Sequence, residues 1–202
     1  MGGARSAGVD EPERVGYRRC VEAHMRVLAL GGVAVGLSVL MACESDEKTE
    51  DTGGGGTAIA EVTVDQTAML AAHNGVRRPL ALSDLQWDDT LAANSLSWSR
   101  TLAADGCGLY HSAAETYGEN LYWTSATSTD QEVVDAWASE VAYYDYDSNT
   151  CADGEQCGHY TQIVWDSTER VGCGAATCPD GGGEVWTCRY DPPGNWVGEQ
   201  PY

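Results

Sequence analysis

Apolar residues recur along this chain in three patterns. The first is one continuous run, Val27 to Ala42, sixteen residues of which three are glycine. It falls short of the ~20 apolar residues that a membrane-spanning helix needs. The second pattern is helical spacing. Met69, Ala72, His73 and Val76 share a face of a helix that Asp65 caps and that extends to about Arg77. Leu91, Ser95, Trp98 and Leu102 share a face of a second, begun by Asp88 or Asp89 and stopped before Gly106. Val133, Trp137, Val141 and Tyr144 line a third, begun by Thr129 or Asp130. The third pattern is a set of short β-prone stretches, 120–124, 162–165, 170–175 and 184–190, separated by Gly, Asp and Pro. Helices first and strands later predict an α+β domain with a small antiparallel sheet. No internal repeat interrupts this order.

The intervals between these patterns divide the chain. Its 202 residues suit one domain with a tail. Arg18, Arg19 and Arg26 precede the apolar run, and a basic flank before a short apolar core reads as an export signal. The run ends in Leu40-Met41-Ala42-Cys43, which resembles the lipobox of bacterial lipoproteins and implies lipidation of Cys43. Met25-Arg26 makes an ordinary-length signal by itself, so translation is expected to start at Met25. Residues 1–43 are therefore read as an extension plus signal. Residues 44–60, acidic and then Gly-rich, read as a flexible tether. Residues 61–202 are the folded domain.

Charge sharpens this division. The formal net charge is −20, split as +1 over residues 1–43, −4 over 44–60 and −17 over 61–202. Nucleic acid is excluded as a partner, because phosphate contacts need clustered Lys and Arg. A membrane is reached through the N-terminal lipid rather than by charge. Of eight Cys, Cys20 lies in the extension and Cys43 carries lipid. The other six, Cys107, Cys151, Cys157, Cys173, Cys178 and Cys188, suit three disulfides in an exported domain, with zinc ligation as the rival reading.

The chemistry-bearing residues are few. Glu140 falls on the apolar face of the third predicted helix, where a carboxylate needs a partner. His111, Glu119 and His159 lie in the short stretches Tyr110–Ser112, Gly118–Leu121 and Cys157–Gln162. Two His and two Glu in one cleft would suit a divalent ion such as zinc, or acid–base work. Spacing alone equally allows surface His and ordinarily hydrogen-bonded Glu.

Four motifs carry a family resemblance. They are His73-Asn74-x-x-Arg77, Gly118-Glu119-Asn120-Leu121, Gly158-His159-Tyr160-Thr161-Gln162-Ile163-Val164-Trp165, and Cys188 to Trp196. With these, residues 65–202 resemble the CAP family of cysteine-rich secretory, antigen 5 and pathogenesis-related-one proteins, most of all its plant members. The resemblance implies a three-layer α-β-α sandwich with a central antiparallel sheet, stabilised by disulfides Cys107–Cys178, Cys151–Cys157 and Cys173–Cys188. It implies a divalent cation held by His111 and His159, with Glu119 and Glu140 as cleft partners, and makes His73 structural. It also implies an apolar ligand of lipid or sterol type. The expected protein is an exported, envelope-anchored, non-catalytic binding module. A metal-dependent hydrolase and a secreted effector are the alternatives. The last eleven residues resemble a tail released from some plant relatives, but are expected to pack their aromatics on the domain.

Overall fold

The computed structural model describes residues 59–113 and 116–202. The expected signal, Cys43 and nearly all of the tether lie outside these residues. In chain order the elements are β1 (Glu61–Val62), α1 (Gln66–Arg77), β2 (Gln86–Trp87), α2 (Asp89–Ala104), β3 (Gly118–Thr124), α3 (Asp130–Ala138), β4 (Tyr144–Asp145), β5 (Thr150–Cys151), α4 (Gly158–Ile163), β6 (Arg170–Thr177) and β7 (Glu184–Asp191). The main sheet runs β1-β6-β7-β3, with β3 at an edge, and β2 adds to β6 in parallel. Every other pair is antiparallel. β4 and β5 form a separate hairpin.

The helices form where their caps are. The Asp65 carboxylate accepts from the N–H groups of Thr67 and Ala68, and that of Asp88 accepts from Thr90 and Leu91. Thr129 and Glu132 close a reciprocal capping box at α3. The sheet separates two layers of helix, as strand alternation requires. Val171, Cys173, Ala175, Trp186, Cys188 and Tyr190 face Met69, Ala72, Val133, Trp137, Tyr160 and Ile163 of α1, α3 and α4. Leu121, Ala176 and Val185 face Leu102 and Ala103 of α2. The fold is the three-layer α-β-α sandwich.

Two sequence features set the spacing of these layers. A Cβ on Gly172 would come within 2.3 Å of Ala92 N, and one on Gly174 within 2.3 Å of Leu96 N. Helix α2 thus rides directly on the backbone of β6. Ser95 Oγ and Ser99 Oγ donate to the carbonyls of Gly172 and Gly174, at 2.7 and 2.8 Å. On the opposite layer, His73 is fully buried between Met69 O and Tyr190 OH, each 2.9 Å from a ring nitrogen. Burial, with the Arg77 charge adding to it against the Met69 hydrogen bond, pushes its pKa down to about 4. His73 is therefore neutral core.

Two expectations are corrected. The third helix stops at Ala138 and continues as a 3-10 turn over Ser139–Tyr143, which leaves Val141 half exposed. The stretch 162–165 is no strand. Its first residues end α4, because Glu140 and Arg77 satisfy the helix at both ends, as described below. The central sheet is antiparallel as expected, with the two-residue β2 added parallel to β6.

Two outcomes follow. Gly174→Ala should cost about 3 kcal/mol or prevent folding, by denaturant titration, since the obstructing atoms are backbone. His73 contributes stability that is present above its unfolded pKa of ~6.5 and is lost as pH falls toward 4. The difference in unfolding free energy between wild type and His73→Gln should shrink by about 1.4 kcal/mol per pH unit across that window.

Candidate functional site

Two imidazole–carboxylate pairs stand at the edge strand β3, one on each side of it. Glu119 is two residues from Leu121 and so shares its face, on the α2 side of the sheet. Its carboxylate is only 8% exposed. It accepts from Ser112 N at 2.9 Å, Ser112 Oγ at 2.7 Å and His111 Nδ1–H at 3.0 Å. Arg189, directly across the β3–β7 ladder, donates through Nε at 3.4 Å. Burial would raise the Glu119 carboxyl, but these hydrogen bonds and the Arg189 charge outweigh it and hold it below its usual value. The bond to Glu119 in turn raises His111, against its partial burial.

The second pair rests on α4. His159 Nδ1–H donates to Glu140 Oε1 at 2.5 Å. Glu140 Oε2 accepts the backbone N–H groups of His159 and Tyr160, at 2.9 and 3.1 Å. Cys157, at the N-cap of α4, offers no side-chain cap. Glu140 supplies one from the 3-10 turn after α3. It meets the positive end of the helix dipole there. Burial again opposes ionisation, and again the hydrogen bonds, led by His159, bring the Glu140 pKa below its usual value. The His159 ring stacks on Trp137, with centroids 6.1 Å apart and planes at 23°. Asn120, on the opposite face of β3 from Glu119, donates to His159 O at 3.1 Å.

His111, Glu119 and His159 line one cavity of about 340 Å³, together with Asn120 and Asn195. Glu140 does not line it, but stands behind His159. With Nδ1 of each ring engaged by a carboxylate, Nε2 is the remaining donor atom of both. The two pairs face a common space without touching. Among the described residues, no three of these four side chains bring ligand atoms within 4.8 Å of one another. One other trio with metal-ligand chemistry does so, His73 with Cys173 and Cys188. Those sulfurs form a disulfide and both His73 nitrogens are hydrogen-bonded, so the trio belongs to the core.

All six domain cysteines are bridged, Cys107 to Cys178, Cys151 to Cys157 and Cys173 to Cys188. Cys173 and Cys188 sit opposite each other in the β6–β7 ladder, with Cα atoms 4.1 Å apart. The Cys151–Cys157 bridge ties the small hairpin to the start of α4. Sequence reasoning did not reach Arg189 or Trp137 as partners of the site. Arg189 follows only from register, and Trp137 only from the end of α3. Ser112 carried a signal, as the hydroxyl beside His111.

Comparison with known proteins agrees with this architecture. The family model described as CAP, cysteine-rich secretory protein family, matches residues 70–190. Pathogenesis-related protein 1C of Nicotiana tabacum is 47% identical over 138 residues, covering 68% of this chain and 80% of that protein. Pathogenesis-related protein 1A of the same plant is 49% identical with the same coverage. Venom allergen-like protein 4 of Schistosoma mansoni superposes with a TM-score of 0.57 at 24% identity, over 70% of this chain and 95% of that one. The crystal structure of NaASP2 with Zn2+ gives 0.55 at 21%, over 68% and 84%.

The tautomers are directly measurable. Long-range 15N correlation spectra of the metal-free protein at alkaline pH should show His111 and His159 protonated at Nδ1, the form a free imidazole disfavours. Glu140→Ala should release only His159 from that form and cost about 1–3 kcal/mol of stability, through the lost cap and the unpaired amides.

Proposed function

The chain belongs to the cysteine-rich secretory protein family, and from that premise we propose that it is an extracellular, non-catalytic binding module holding a divalent cation through His111 and His159. The observation that carries this reading is the engagement of both Nδ1 atoms by partly buried carboxylates beside one cavity. Such pairs fix the tautomer, orient the ring and raise the basicity of the free nitrogen. Glu119 and Glu140 act as these supports. Two neutral imidazoles suit zinc, and the solved NaASP2 structure with Zn2+ makes zinc the first ion to test. When bound, the ion would supply Lewis acidity toward a ligand's oxygen or carboxylate. The open side of the cavity leaves room for such a ligand.

Hydroxyl placement argues against a serine or threonine nucleophile. Ser112 Oγ donates to Glu119, and Thr161 Oγ1 to Asn195 Oδ1, so neither is aligned with an imidazole. The exported state is supported by three disulfides. The lipid or sterol-type ligand belongs to the same proposal. A groove of about 380 Å³ beside α2, with Val62, Val64, Trp87 and Leu96 in its wall, is where such a ligand is sought. Anchoring in the cell envelope through lipid on Cys43 rests on residues outside the described structure.

Calorimetry on the full chain tests the cation site. Zinc should bind once, and His111→Ala and His159→Ala should each weaken it at least ten-fold. Glu140→Gln should weaken it by about ten-fold or more, as loss of a supporting carboxylate does. Peptide, ester and glycan substrates should remain intact. Unchanged zinc affinity in the double His variant removes the site. Zinc-dependent cleavage that disappears in that variant replaces the binding reading with a hydrolase.

A further inference from the structure

A second cavity, of about 350 Å³, lies on the other side of Cys157, Gly158 and Asn195 from the His pair. Its wall includes Tyr144, Trp165 and Trp196, and the carboxylate-bearing Glu155 and Glu199. Trp165 is buried, while Trp196 is 55% exposed and is held by its indole N–H to Pro193 O at 3.1 Å.

The neutral polar groups of this wall are already engaged. Asn149 accepts from Tyr144 OH and donates to Glu199 O. Asn195 donates to Gly158 O and accepts from Thr161 Oγ1. The side chains of Glu155 and Glu199 remain as acceptors, both exposed. Among the described residues no arginine is left to pair them. The domain has no lysine, and no arginine lies between Arg100 and Arg170. Arg78, Arg100, Arg170 and Arg189 each meet a carboxylate, and Arg77 is spent on backbone carbonyls. The cavity therefore combines aromatic faces with uncompensated negative charge, the pairing that recognises an alkylammonium or guanidinium group. Its volume is within the range of ligand sites. Exposed Tyr143, Tyr146 and Val197 flank the wall residues in sequence and extend the apolar surface past what one small amine covers.

We propose that this cavity is a docking site for a basic peptide segment, one lysine or arginine side chain of which enters it against Trp196 and between the charges of Glu155 and Glu199. The site is separate from the cation pair and does not depend on it.

The test uses the full chain, tryptophan fluorescence and calorimetry, with tetralysine amide as probe at fixed ionic strength. Tetralysine should bind and tetra(acetyl-lysine) amide should not. Glu155→Gln/Glu199→Gln and Trp196→Ala should each weaken tetralysine at least ten-fold while zinc affinity stays within two-fold of wild type. A control pair that removes equal charge elsewhere, Asp105→Asn/Asp135→Asn, should change it less than two-fold. Equal weakening by the control pair would reduce the effect to the protein's general field and overturn the site. So would the absence of tetralysine binding, and n-butylammonium binding as tightly as tetralysine would reassign the cavity to a small amine.

Discussion

A helix of six residues cannot hold itself, and this protein depends on one. Helix α4 carries His159, yet so short a segment has no interior turn free of end effects and is unstable alone. Both of its ends are held by charges from other elements. Glu140 accepts the orphan amides at its start. At its finish the fully buried Arg77, from the end of α1, donates to Ile163 O and Trp165 O at 2.8 Å, and also to Ser83 O and Thr168 O. Anion at the N-terminus and cation at the C-terminus both complement the dipole. Burial lowers the Arg77 pKa, and the carbonyl ring is what makes the buried charge tolerable.

That arrangement couples the layers. Arg77 sits one turn from His73, which is neutral in the core between α1 and the sheet. Asn74, between them, uses its amide as an extra peptide group, bonding both Leu85 N and Leu85 O. One buried face of α1 therefore fixes the loop before β2, the end of α4 and the packing of Tyr190. The site is assembled from the margins of these elements rather than from their centres. It gathers a residue beyond α2, one on edge strand β3, one on a 3-10 turn and one at the first turn of α4.

This explains what could be read in advance. The caps of α1, α2 and α3, at Asp65, Asp88 and Thr129, were legible because they are local and have a sequence signature. The β-prone stretches 120–124, 170–175 and 184–190 were legible as strands for the same reason. Helix α4 was not, since its β-prone composition is overridden by Glu140 and Arg77, nineteen and eighty-six residues from their partners His159 and Ile163. Arg189 beside Glu119 depends on strand register. The residue types of the site were visible, and the family motifs contain two of them, Glu119 and His159. Their grouping into two separate pairs around β3, with Glu140 behind His159, belongs to tertiary structure alone.

The commitment of every domain arginine has an effect outside binding. An extracellular chain meets proteases that cut after basic residues, and such enzymes must draw an accessible Lys or Arg into an extended backbone. This domain offers no lysine and five arginines. One is sealed in the core, one lies in the middle of α2 and two lie within paired strands. Only Arg78 stands outside regular helix and strand, in a 3-10 turn, and the next residue is proline, which such proteases cleave poorly. The same scarcity of cations that leaves the acidic cavity uncompensated thus gives the folded domain almost no tryptic sites.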